Sequence, residues 1–193
     1  MTKRRDFLKT SLAGTAGLAV GTIGFTAKSY ASIIGANDRI HLAIIGVRNQ
    51  GTVHINAFCN LKDSHNVVIK TLCDTDEALF EPAAKIVREK TGIEPVTEWD
   101  LLKVLEDKEI DAVSIVTPNH WHALATIWAC QAGKHVYVEK PVSHNVWEGR
   151  KMVEAARKYN RIVQVGLNNR SSQGVIDAIR FIHEGGIGEI YMA

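Results

Sequence analysis

The sequence predicts an α/β fold: a doubly wound parallel sheet with only the start of a second α/β domain behind it. Three observations carry this. From Asn37 onward, short apolar runs alternate with amphipathic stretches of helical period; the runs are rich in β-branched residues and nearly continuous; and the first of them leads directly into a turn bounded by glycines. Such alternation marks βαβ units. Near-continuous apolar runs suit strands covered by helices on both faces.

The first element is an address. Lys3-Arg4-Arg5-Asp6-Phe7-Leu8-Lys9 resembles the bacterial twin-arginine export signal, and the run from Thr10 to Ala27 that follows contains Gly14, Gly17, Gly21 and Gly24. So many glycines make it a weak candidate for a spanning helix. Ser29-Tyr30-Ala31 suits cleavage after Ala31, which makes residues 1–31 a signal peptide and leaves the mature chain off the membrane; retention as an anchor is the competing reading. The resemblance implies the twin-arginine translocase as a partner during export and a periplasmic or otherwise exported location.

The address also explains the charge. Of 23 basic and 21 acidic residues, Lys3, Arg4, Arg5, Lys9 and Lys28 lie in the first 31 positions against Asp6 alone, so the remainder carries 18 basic and 20 acidic side chains. That balance argues against a nucleic-acid partner. Cys59, Cys73 and Cys130 form no CxxC pair and have no histidine at metal spacing, so no metal site or disulfide framework is expected and they read as small buried hydrophobes.

The expected strands are Ile40 to Ile45, Val67 to Cys73, Asp111 to Val116, His135 to Val138 and Ile162 to Val165. Helices are expected near Thr52 to Asn60, Thr75 to Thr91, Trp99 to Glu106, His120 to Ala132 and Asn145 to Tyr159. In the last two, Leu124, Ile127 and Trp128, then Val146, Val153 and Ala156, recur at the period that presses one stripe onto a sheet. A further helix, Gln173 to Glu184, ends at Gly185-Gly186, and Gly188 to Ala193 reads as a strand. The expected organisation is a dinucleotide-binding domain over 38–168, then a linker helix and first strand of a second domain over 169–193.

The first strand runs into Gly46-Val47-Arg48-Asn49-Gln50-Gly51 and then a helix. In a Rossmann fold this turn aims helix N–H groups at a pyrophosphate. Gly46 fits the tight turn and Gly51 the close contact of helix and strand. Arg48 stands where the middle glycine of G-x-G-x-x-G would be; it either swings outward and adds a cation to the phosphate site or weakens binding. The second strand ends in Asp74, 28 positions after Gly46. An acid there accepts hydrogen bonds from the adenosine ribose and repels a 2′-phosphate, favouring NAD over NADP. A solvated loop acid or the cap of the next helix is the plainer alternative.

Two further loops follow strand ends: Thr117-Pro118-Asn119-His120-Trp121-His122 and Glu139-Lys140-Pro141. With the Gln164-Val165-Gly166-Leu167-Asn168-Asn169-Arg170 segment they resemble the Gfo/Idh/MocA oxidoreductase family over about Asp38 to Ala193. The resemblance implies that Lys140 lies near the nicotinamide and the reacting substrate oxygen as the catalytic cation, and that Glu139 contacts the nicotinamide ribose. Pro141 would hold the turn rigid, a cis bond being one way. Thr117, Asn119 and His122 would form the loop beside the cofactor, with Trp121 flanking the nicotinamide or simply packing. Taken singly, a Glu-Lys-Pro is commonly a solvated turn and a histidine at a helix start a capping partner; three matching loops in one fold argue otherwise.

The resemblance also implies a sugar, cyclitol or derivative as the small-molecule substrate. Because the twin-arginine route carries folded proteins, it implies an NAD bound tightly before export. Family members complete the site with a second domain bearing an Asp-x-x-x-His motif, and they associate through that domain's open sheet, which implies a homo-oligomer. His144 and His183 do not match that motif, so the chain is expected to be a fragment that lacks the general acid/base. An NAD-dependent glycoside hydrolase of the same superfamily and a stand-alone nucleotide-binding module are the alternatives; retention of Glu-Lys-Pro favours the oxidoreductase.

Overall fold

The computed structural model describes residues 39 to 192. The expected export signal, with the cleavage expected after Ala31, lies outside the described residues. Six parallel strands form one sheet in the order β3-β2-β1-β4-β5-β6. They are β1 (Ile40–Ile45), β2 (Val67–Cys73), β3 (Val96–Glu98), β4 (Ala112–Ile115), β5 (His135–Glu139) and β6 (Val163–Gly166). Helices α1 (Gln50–Cys59), α2 (Lys62–His65), α3 (Phe80–Thr91), α4 (Leu101–Glu106), α5 (Asn119–Gln131), α6 (Val146–Lys158) and α7 (Gln173–His183) connect or follow them. The order reverses at β1, the switch point where open α/β sheets hold ligands beyond the strand ends.

Side chains alternate across the central strand, and this alternation builds two cores. Leu42 and Ile44 of β1 pack with Ile55 and Cys59 of α1 and with Ala83, Ala84 and Val87 of α3. Ala43 and Ile45 point the other way, into a cluster with Val104 of α4, Ala125 and Ala129 of α5, and Met152 of α6. Each fully buried aliphatic side chain contributes about 1.5 to 3 kcal/mol, so the central strand is held from both sides. The three cysteines are buried and unbonded to one another.

Several features depart from the sequence expectations, among them Leu124, Val146 and Val153, which are exposed rather than pressed onto the sheet, and the unexpected short helix α2. β3 is a short edge strand formed by pairing Thr71, Leu72 and Cys73 with Val96, Thr97 and Glu98; three residues after Pro95 are too few to show a period. The helix expected from Thr75 instead opens with a 3-10 turn at Glu77–Leu79 and becomes α-helical at Phe80. Carboxylates cause the delay: Asp74 accepts the Asp76 N–H at 3.1 Å and Asp76 accepts the Ala78 N–H at 3.1 Å, so the cap is Asp76 and not Asp74. Finally, Gly188 to Met192 form no strand, since none of the described strands pairs with them; Ala193 lies outside the described residues.

Candidate active site

Gly46 ends β1 with φ +89°, and its N–H donates to the Cys73 carbonyl at 2.8 Å. A Cβ there would sit 2.8 Å from the Val116 carbonyl carbon and oxygen; one on Gly51 would sit 2.0 Å from the Gly46 oxygen. Backbone proximity therefore excludes side chains at both positions. Asn49 caps α1 at φ +46° while its carbonyl accepts from the Thr52 and Val53 amides at 3.0 and 3.3 Å. The Asp74 carboxylate ties the tip of β2 to this turn by accepting the Val47 N–H at 2.9 Å.

A cavity of about 760 Å³ opens over these tips, well within the range of small-molecule sites. Gly46, Arg48, Asn49, Asp74 and Thr117 line it, joined by the Trp99 and Trp121 side chains that the tips of β3 and α5 bring in. Arg48 is exposed at its edge. The Thr117 Oγ1 is buried without a protein partner among the described residues. Cys73 also lines the cavity, but burial, and then the charges of Asp74, Glu98 and Asp100, push its thiol up to about 12, so it stays protonated.

The remaining sequence-predicted residues, Asn119, His122, Glu139, Lys140 and Pro141, lie beside the cavity rather than on its wall. β4 and β5 are parallel neighbours, so the loops after them share one edge of the sheet. His122 locks the two loops together, its Nδ1 2.6 Å from the Pro141 carbonyl oxygen and its Nε2 2.8 Å from that of Thr117. It is 1% exposed. With both nitrogens facing backbone carbonyl oxygens, it braces the two loops.

Glu139 is also held by protein groups. Its carboxylate is buried and bonded to His54 Nε2 at 2.8 Å, to its neighbour's Lys140 N–H at 3.0 Å and to Gln50 Nε2 at 3.4 Å. Burial alone would raise its pKa, but the His54 bond, the Lys140 amide and Gln50 outweigh this and hold it below the usual carboxylate range. Lys140 itself is exposed, followed by a cis bond to Pro141. His54 was not singled out from the sequence; the available signal was its place three residues after Gly51, on the stripe of α1 that faces the sheet.

Among the described residues no cluster of His, Cys, Asp or Glu could hold a metal ion, and no helix is long and apolar enough to cross a membrane. Residues 40–167 match the Gfo/Idh/MocA family model, described as an oxidoreductase family NAD-binding Rossmann fold, and residues 1–21 match the twin-arginine signal sequence, which directs the chain to export by that route. A glycosyl hydrolase family 109 protein of Shewanella baltica is 28% identical, covering 97% of this chain and 44% of its own length. Among solved structures, myo-inositol 2-dehydrogenase from Lactobacillus plantarum is 28% identical with a TM-score of 0.68, the match covering 79% of this chain and 43% of that one. The scyllo-inositol dehydrogenase from Lactobacillus casei, solved with NAD(H) and scyllo-inositol, is 25% identical with a TM-score of 0.68, covering 79% and 43%. The chain thus spans less than half the length of the relatives it matches.

Proposed function

Since the chain belongs to the Gfo/Idh/MocA oxidoreductase family through its NAD-binding Rossmann domain, we propose that it holds the dinucleotide of an NAD-dependent dehydrogenase acting on a hydroxyl of a sugar, cyclitol or derivative. One observation carries this: the cavity over β1 and β2 lies against a tight turn in which Gly46 and Gly51 let neighbouring backbone segments pack directly on one another. That cradle, the Asp74 carboxylate and the unpartnered Thr117 hydroxyl together fit a dinucleotide.

NAD, when bound, supplies the two-electron acceptor. The chain's own residues do the rest. Gly46, Arg48, Asn49 and Gly51 place backbone and one cation at the phosphates. Asp74 has lone pairs left for the adenosine ribose, and its charge disfavours a 2′-phosphate, so NAD is preferred to NADP. Asn119 and Lys140 stand toward the reacting end, where the Lys140 ammonium donates a hydrogen bond to the substrate oxygen as it gains negative charge. The polyol substrates of the two inositol dehydrogenases support the substrate class. In this reading residues 1–31 are the cleaved signal, 38–168 the nucleotide domain, and 169–193 lead toward a substrate domain. Export in the folded state then calls for NAD held tightly enough to cycle in place.

Titrating the purified protein with NADH tests the reading: saturable binding is expected, and absence of binding removes it. In the polypeptide that also carries a substrate domain, Lys140→Met should cut turnover by about a hundredfold or more while most NADH affinity remains. The similarity to family 109 hydrolases favours a second reading, in which NAD is reduced and restored within each hydrolytic turnover. A net change in nicotinamide absorbance with a polyol supports the dehydrogenase; sugar release without such a change supports the hydrolase.

A further inference from the structure

Behind Lys140, three buried side chains form one hydrogen-bonded chain across three elements. Ser114 Oγ of β4 lies 2.8 Å from His54 Nδ1, and His54 Nε2 of α1 lies 2.8 Å from Glu139 Oε1 of β5. The order looks like that of a hydrolytic triad, but Ser114 is 0% exposed, Glu139 4% and His54 6%. No substrate carbonyl can reach that hydroxyl, so nucleophilic chemistry is excluded and a different use must explain the chain.

Donors and acceptors settle its direction. The Glu139 carboxylate can only accept, so His54 Nε2 carries a proton and donates it to Glu139; the Ser114 hydroxyl, which can donate or accept, satisfies Nδ1. Edge contacts with Tyr137 at 5.3 Å and Phe58 at 6.1 Å hold the ring plane. Gly166 of β6 pairs with Glu139, and a Cβ there would come within 2.9 Å of Oε1, the oxygen that His54 holds, and 3.0 Å of the Tyr137 hydroxyl. The second carboxylate oxygen receives the Lys140 N–H, so the position of Glu139 sets the backbone from which Lys140 projects.

We propose that His54 is a positioning residue, which through Glu139 fixes the Lys140 backbone and so the nicotinamide-side end of the crevice. This rests on the cofactor reading above. It predicts a split, because Gly46, Asp74 and Thr117 of the adenosine-side cavity do not bond to this chain, and Gln50, which lines the cavity too, meets Glu139 only at 3.4 Å.

The test titrates the purified protein with NADH, which spans both ends, and with ADP, which reaches only the adenosine and phosphate side. His54→Leu should weaken NADH roughly tenfold, the scale of one lost hydrogen bond to a charged group, and leave ADP unchanged. His54→Gln keeps an N–H for Glu139 and should restore most of the loss. Gly166→Ala crowds the carboxylate oxygen that His54 bonds and should give the same split, which keeps the test open if His54→Leu fails to fold. Unchanged NADH affinity in both Gly166→Ala and His54→Leu overturns the proposal, as does a loss shared equally by ADP and NADH. Wild-type protein that binds neither nucleotide defeats the cofactor reading and this inference with it, a result distinct from binding both without the split.

Discussion

The two halves of the crevice lie along one edge of the sheet and satisfy their polar groups in opposite ways. Over β1 and β2, the glycine turn, the exposed Arg48 and Thr117, whose buried hydroxyl has no partner among the described residues, line a cavity. At the tip of β5, Glu139, His54, Ser114 and His122 are bonded to one another or to carbonyls and closed to solvent. The first half is shaped to receive a ligand and the second to hold one exposed lysine. Open donors and acceptors mark where a molecule binds, whereas a saturated buried network marks what keeps a neighbouring group still.

The sharpest way to break this contrast is at Gly51. A Cβ 2.0 Å from the Gly46 oxygen has only backbone to push against, so Gly51→Ala should destabilise the fold by about 3 kcal/mol, read by urea unfolding. A loss too small to measure would mean that the turn is not fixed by the helix contact.

A smaller and pH-dependent effect belongs to the other half. The folded pKa of Glu139 lies below its ordinary value of 4.5, so its stabilisation is present above that pH and is lost as pH falls through the lower folded value. Glu139→Gln should therefore cost about 1.5 to 3 kcal/mol near pH 7, and its unfolding free energy should converge on wild type as the solution becomes more acidic. Parallel pH curves for the two proteins would show that the His54 and Lys140 bonds do not depend on the charge.

The smallest expected effect separates the two possible roles of Arg48. If it adds a cation at the phosphates, Arg48→Gly weakens NADH about threefold at low salt and the difference fades as salt is raised. Tighter binding by the variant would show instead that the side chain obstructs the position of the missing glycine.

The open half was largely legible in the sequence. Gly46, Gly51, Asp74 and Thr117 meet around the β1 turn where their motif places them, because a tight turn and a strand end are set by residues close in the chain. The closed half was named by Glu139-Lys140-Pro141, but the protein bonds that hold Glu139 and His122 were not legible, and His54 went unnoticed. Its two partners lie 60 and 85 positions away. The three-residue strand Val96–Glu98 escaped for a related reason, since it exists only by pairing with β2.

By itself the sequence determined the alternation of strands and helices, the export signal, the glycine turn and the loop that carries Lys140. Each depends on side-chain periodicity or on backbone freedom at a few adjacent positions. Tertiary structure alone decided which buried polar groups bond to one another and which are left for a ligand. A donor's partner in a packed interior is fixed by which elements are brought together, and nothing in its own neighbourhood of the chain records that.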